Sequence, residues 1–147
     1  MQLLEQARTL KSEVALGGVD SPRAFSKLLQ LILTSTIVKK GERLECSKIN
    51  IQDPSNPKIT KNDWNIESVK KGMPLKLNDG RFLSFDYVVT LNSGSKLSVI
   101  ESSVQYQKDS SISDPGEVFR FDYQRPDPEI SHYTSGTLSC LRTTVSV

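Results

Sequence analysis

Histidine and cysteine are scarce in this sequence of 147 residues, which contains one histidine and two cysteines. A metal site built from nitrogen and sulfur ligands needs several such residues at close spacing, so the sequence predicts no metal and no cofactor. Cys46 and Cys140 form no Cys-x-x-Cys motif, which favours two reduced thiols over a disulfide. Glycine-rich phosphate loops and serine nucleophile elbows are missing too, so neither class of site is indicated.

Long hydrophobic runs are also missing. The longest, "LLQLILTSTIV" (28–38), is too short to span a bilayer and is interrupted by hydroxyl side chains. No basic segment followed by an apolar segment marks a secretory signal, so we expect a cytoplasmic protein that does not contact a membrane. The composition, 36% hydrophobic and 24% charged, is typical of a globular chain. The length suits one domain over 1–147, with a helical part at 1–35 and an antiparallel sheet part at 36–147.

The charge is unevenly distributed, although the net charge is only +2. Residues 1–78 contain thirteen Lys and Arg against eight Asp and Glu, whereas residues 79–147 contain six against nine. The positive part is able to attract RNA phosphates or an acidic partner. A solvated lysine-rich surface explains the same pattern and is the commoner case, so both interpretations stay open.

Two helices are predicted at the N-terminal end. Apolar residues recur at three- and four-residue spacing over 3–14, and Gly17-Gly18 ends that pattern. Ser21 is the expected N-cap of the second helix, and Pro22 suits its first position, where the missing N–H has no helical partner. The expected buried stripe of this helix comprises Phe25, Leu28, Leu29 and Ile32.

After the helices, apolar residues recur at every second position, which predicts strands at 43–51, 74–91, 96–107 and 118–124. Asp79-Gly80 supplies a tight turn within the second of these ranges. Residues 52–63 read as a loop. Trp64 reads as the start of a short helix or strand that anchors the edge of the core rather than stacks on a base. The final segment, 133–147, reads either as an edge strand that closes the sheet or as the product of a shifted reading frame. The sequence therefore predicts an α+β fold in which two N-terminal helices pack on one face of an antiparallel sheet of four to six strands.

The strand "VFRFDYQ" (118–124) carries two opposite charges in its middle. Alternation places Phe119 and Phe121 on one face and Arg120 and Asp122 on the other. If the aromatic face packs towards the helices, the charged pair lies on the open face of the sheet. It is then either an ordinary exposed ion pair or a platform on which Arg120 contacts a phosphate and Asp122 orients it or moves a proton.

Three segments together resemble a known family. "DGRFLSFDYVV" (79–89), "YQ" (106–107) and "FRFDYQRPDP" (119–128) are similar to motifs of the TumE family of toxins from prokaryotic toxin–antitoxin modules. The resemblance covers about residues 79–132. It implies a toxin, either RNA-directed and ribonuclease-like or acting by binding alone, that is neutralised by a cognate antitoxin of the helix-turn-helix type.

The resemblance also implies site residues. Arg120 and Asp122 match the Arg-x-Asp of the family, and Asp86 stands where the family has a strand glutamate, with Glu101 as the other candidate. His132 is all that this sequence retains of the histidine-rich end of the family, and a single loop histidine is more often a surface residue than a catalyst. The resemblance therefore implies an impaired C-terminal histidine motif. The alternative is a non-enzymatic domain that binds a partner on its open sheet face.

Overall fold

The computed structural model describes residues 2–70, 72–111, 113–126 and 141–145, the last of these as a backbone path. Two helices come first, α1 (Gln2–Leu16) and α2 (Ser21–Thr36). The strands are β1 (Leu44–Lys48), β2 (Trp64–Ser68), β3 (Leu75–Lys76), β4 (Phe82–Leu91), β5 (Leu97–Gln107), β6 (Glu117–Gln124) and β7 (Leu141–Val145). None of the described helices is long and apolar enough to cross a membrane.

The strands form one antiparallel sheet. Its order is β1-β2-β4-β5-β6-β7, and the two-residue β3 pairs with β4 outside this path. Gly80, at φ +84°, makes the tight turn between β3 and β4, where a side chain is disfavoured. The path of six strands after two N-terminal helices confirms the predicted α+β fold, and β7 lies at the end of the order, as predicted for the final segment.

The hydrophobic core lies between α2 and one face of the sheet, which we call the helix side. Phe25, Leu29 and Leu33 of α2 pack against this core, whereas α1 packs against α2 and buries none of its side chains. The buried cluster comprises Val38, Leu44, Trp64, Ile66, Leu75, Leu77, Leu83 and Val89. Trp64 starts β2 and anchors this core, in agreement with its prediction.

Two details of the predicted second helix are wrong. Asp20, rather than Ser21, is the N-cap residue, and Ser21 lies inside the helix, where its hydroxyl donates to the Gly18 carbonyl at 2.7 Å. Ile32 is 49% exposed, because the face that meets the sheet passes through Leu33 instead. Helical spacing marks an apolar stripe, but the position of the sheet decides which edge of that stripe is buried.

Candidate functional site

The predicted site residues Asp86, Arg120 and Asp122 project from the face of the sheet opposite the helices, which we call the open side. The register of β4, β5 and β6 aligns six polar side chains there, and we call them the central polar patch. Its two cross-strand rows are Ser84, Gln105 and Arg120 in one, and Asp86, Ser103 and Asp122 in the next. The open side therefore presents a polar surface built from regular strands, which hold their side chains in fixed relative positions.

Arg120 and Asp122 form an ion pair within the patch. The Nε atom of Arg120 lies 2.8 Å from Oδ2 of Asp122 and donates a hydrogen bond to Oδ1 at 2.9 Å. The register places both side chains on the open side, away from the helices, as predicted, and they are 44% and 33% exposed there. An exposed pair of this kind contributes at most about 1 kcal/mol to stability, so the fold has little need of these charges.

Asp86 occupies the same row as Asp122, with Ser103 of β5 between them. The Nδ2 atom of Asn65, in β2, donates a hydrogen bond to Oδ1 of Asp86 at 2.5 Å. Although Asp86 is exposed at the surface of the sheet, the neighbouring strands remove part of the water around its carboxyl and so raise its pKa, and the Asn65 hydrogen bond opposes part of that rise. Asp86 therefore binds a proton more readily than an ordinary surface aspartate does, which suits a group that exchanges protons.

Neither Asp86 nor Glu101 lies near enough to pair with Arg120, so that part of the expectation is wrong. Asp86 belongs to β4, and β5 separates it from β6 by two strand spacings, or about 10 Å. Glu101 lies four residues along β5 from Gln105, the register partner of Arg120, which corresponds to about 13 Å. Asp122 is the partner of Arg120 instead.

The two ends of the patch are bounded differently. At one end Glu101 accepts a hydrogen bond from Asn56 at 3.4 Å, so the loop that joins β1 to β2 reaches across to β5 on this side. At the other end Gln107 is 2% exposed and accepts a hydrogen bond from the Ser84 hydroxyl at 2.7 Å. Because Asn56 lies beyond one end of the patch and Gln107 beyond the other, the two rows between them are the part most open to a ligand.

Acidic side chains predominate on the strands of the open side. Among the strand residues whose side chains are described, the acids there are Glu45, Glu67, Asp86, Glu101, Glu117 and Asp122, and the bases are Lys76 and Arg120. This balance repels phosphate groups and favours a ligand that carries positive charge.

The remaining predicted features lie elsewhere or outside the described residues. His132 and Cys140 belong to the part of the chain that the structure does not describe, while Cys46 is half-buried and burial raises the pKa of its thiol. No group of three His, Cys, Asp or Glu residues in the described ranges is arranged to hold a metal ion. Nothing in the sequence marks Asn65, Ser84 and Gln105 as site residues, because neutral polar residues on strands carry no motif.

Comparisons with protein-family models, with curated proteins and with solved structures found no match to this chain. The geometry described above and the motif resemblance are therefore the grounds on which a function is proposed.

Substituting Asp86 with asparagine should change how stability depends on pH. A raised folded-state pKa means that protonated Asp86 favours the folded state, and this contribution is lost as pH rises through that pKa. We expect the free energy of unfolding of the wild type to fall relative to that of Asp86→Asn as pH rises from below about 4. Urea titrations of both proteins across the acidic range measure this difference.

Asp53 provides a control with the opposite sign. Hydrogen bonds from the Ser55 hydroxyl and backbone N–H lower the pKa of Asp53, so its charged form favours the folded state. The wild type should therefore gain stability relative to Asp53→Asn over the same rise in pH. If the stability of the wild type relative to each variant changed with pH in the same direction for Asp86→Asn and Asp53→Asn, the assigned environment of Asp86 would be contradicted.

Proposed function

We propose that this protein is the toxin component of a toxin–antitoxin module and that the central polar patch is the surface through which it acts. The observation that carries the proposal is the position of the Phe-Arg-Phe-Asp motif, whose Arg120 and Asp122 reach solvent on the open side of β6, next to the edge strand β7. Charges that contribute so little to stability are free to serve a ligand. The motif resemblance over about residues 79–132 supplies the class of protein.

In the RNA-directed form of this function, two groups of the patch divide the chemistry. Arg120 contacts a phosphate oxygen and stabilises the negative charge that develops during phosphoryl transfer. Asp86 moves the proton, for which its raised pKa makes it the better suited of the carboxylates in the patch. Asp122 orients the guanidinium through the ion pair that it already forms. The family resemblance would add His132 to this set.

The charge balance of the open side favours a second candidate, a non-enzymatic interaction domain. Acids outnumber bases on these strands, and a polyanion such as RNA has to overcome that repulsion. A basic segment of a partner meets no such obstacle. The partner that we propose for this second candidate is the helix-turn-helix antitoxin that the resemblance implies. Arg120 and Asp122 fix the position of the bound segment on the open side.

Expression of the full chain in a bacterial host, without any partner, tests the toxin function. We expect growth to slow only weakly, because the histidine-rich end of the family is reduced here to His132. Arg120→Ala should abolish this slowing while lowering the free energy of unfolding by no more than about 1 kcal/mol. Growth curves, beside urea unfolding of the purified variant, give the two readouts.

Arg125 provides the matched control for Arg120. It is an exposed arginine just beyond β6, and its hydrogen bonds to the residues that the structure describes are made by its backbone. Arg125→Ala should therefore leave growth the same as that with the wild type. Equal growth for the wild type and Arg120→Ala would contradict the toxin function of the patch. Strong arrest that survives His132→Ala would show that the histidine motif is not needed. Degradation of cellular RNA while growth slows would support the RNA-directed form, and intact RNA would support the binding form.

A further inference from the structure

A strip of aromatic side chains crosses β5 and β6 on the helix side, the face opposite the central polar patch. We call Tyr106, Phe119 and Phe121 the aromatic strip. The ring centres of Tyr106 and Phe119 lie 5.4 Å apart, and those of Phe119 and Phe121 lie 5.3 Å apart. Tyr106 packs against the hydrophobic core, whereas Phe121, at the outer end of the strip, is 44% exposed. The strip therefore runs from the edge of the core to solvent.

A guanidinium group is positioned at the inner end of the strip. The Arg81 side chain lies over the Tyr106 ring at 5.5 Å from its centre, within the range of a cation–π contact. The Tyr106 hydroxyl donates a 2.6 Å hydrogen bond to Oδ2 of Asp79, which fixes the ring. That bond lowers the pKa of Asp79, and Arg81 contributes to the same shift, so the Asp79 carboxylate stays ionised beside a compensating positive charge.

We propose that the aromatic strip binds the unpaired bases of single-stranded nucleic acid, with the Arg81 guanidinium contacting a phosphate. Aromatic side chains on neighbouring strands stack on bases, and a flanking cation attracts the backbone. This assignment does not depend on the proposed toxin function, because it concerns the opposite side of the sheet and different residues. It also removes the electrostatic difficulty of RNA binding at the acidic open side.

Single-stranded nucleic acid fits this surface better than a protein partner does. The strip runs from half-buried Tyr106, which has the Arg81 guanidinium beside it, to the exposed ring of Phe121, and stacking exploits both the ring faces and the cation. A partner helix instead requires an apolar groove, in which the area of the buried side chain matters more than its flatness. A substitution that preserves apolar area without a flat ring therefore distinguishes the two occupants.

Fluorescence anisotropy of the full chain with a labelled single-stranded RNA of about ten nucleotides, at about 50 mM salt, tests the proposal. We expect the wild type to bind this RNA and Phe121→Ala to weaken binding about tenfold, the effect of losing one stacked base. Phe121→Leu, which keeps apolar area, should weaken binding as much as alanine does. Phe121→Trp should bind at least as tightly as the wild type.

Several results would overturn the proposal. They are an absence of binding by the wild type, equal affinity for a duplex of the same length, and wild-type affinity in Phe121→Leu. Leu16→Ala serves as the control, because Leu16 is a 77% exposed apolar residue of α1 and should not affect binding. Thermal melts of each variant confirm that it folds, which the exposure of Phe121 leads us to expect.

Discussion

Gly17→Ala should destabilise the protein by about 3 kcal/mol. Gly17 has φ +79°, a conformation that costs an L-residue about 1–3 kcal/mol. A Cβ atom at this position would meet the carbonyl oxygen of Ser95 at a distance too short for any contact, so the turn between β4 and β5 would have to move. That movement would strain the 2.8 Å hydrogen bond from the Gly18 N–H to the Ser95 carbonyl. Urea unfolding monitored by circular dichroism measures the loss.

Gly18 is the matched control for this prediction. Its φ is +85°, close to that of Gly17, but an added Cβ would have no neighbour within 4 Å. Gly18→Ala should therefore cost only about 1 kcal/mol, the backbone penalty alone. Equal losses at the two positions would show that the close approach of Gly17 to Ser95 adds nothing to the cost of placing a side chain at Gly17.

The contact at Gly17 also shows what joins the helices to the sheet at this end. The ammonium of Lys96, just before β5, donates to the Ala15 carbonyl at 2.7 Å and to that of Leu16 at 3.3 Å. These carbonyls belong to the last turn of α1, where positive charge is favourable. Since α1 buries none of its own side chains, such terminal contacts and its packing on α2 hold it in place.

The sequence predicted β4 well because its alternation is long and sits beside an Asp-Gly turn. Five apolar residues with strict period two define a half-buried strand, whatever its neighbours are. β2 was harder to recognise, because its five residues include only Trp64 and Ile66 as apolar members. Pairing with β1 and β4 makes this segment a strand, and such long-range contacts leave no mark on local periodicity.

The candidate site was predictable only in part, for a related reason. Period two placed Arg120 and Asp122 on one face of a strand, and the structure confirms this local relation. The relation of either residue to Asp86 depends on the register of β5 between them. Irregularities at Val88/Val89 and at Tyr106/Gln107 lie between these residues and the connections that join the strands, so the register cannot be counted from those connections, and no apolar pattern in the sequence marks the irregularities.

The aromatic face of β6 illustrates the same limit. Alternation correctly placed Phe119 and Phe121 on the helix side, but exposure depends on how far α2 extends across the sheet. The contacts of α2 with the sheet are chiefly with β1, at the other end of the strand order. Apolar residues on the helix side are therefore buried near β2, whereas Phe121 of β6 is exposed.

Ile66→Ala should destabilise the protein by about 3–4 kcal/mol, the largest loss that we expect from a single truncation. Ile66 is completely buried in β2, between Cys46 of β1 and Tyr87 of β4 in the register. Removing its branched side chain loses buried apolar area and leaves a cavity that strands on both sides prevent from collapsing. Urea unfolding at neutral pH measures this loss as a lower midpoint with an unchanged slope.

Ile51→Ala removes the same atoms from a residue that is 79% exposed and should change the free energy of unfolding by no more than about 0.5 kcal/mol. The contrast between two isoleucines isolates the effect of burial from that of residue type. It also tests whether β2 lies inside the sheet, because an edge or surface position for Ile66 would make the two losses similar. A loss below about 1 kcal/mol for Ile66→Ala would contradict the strand order that places β2 between β1 and β4.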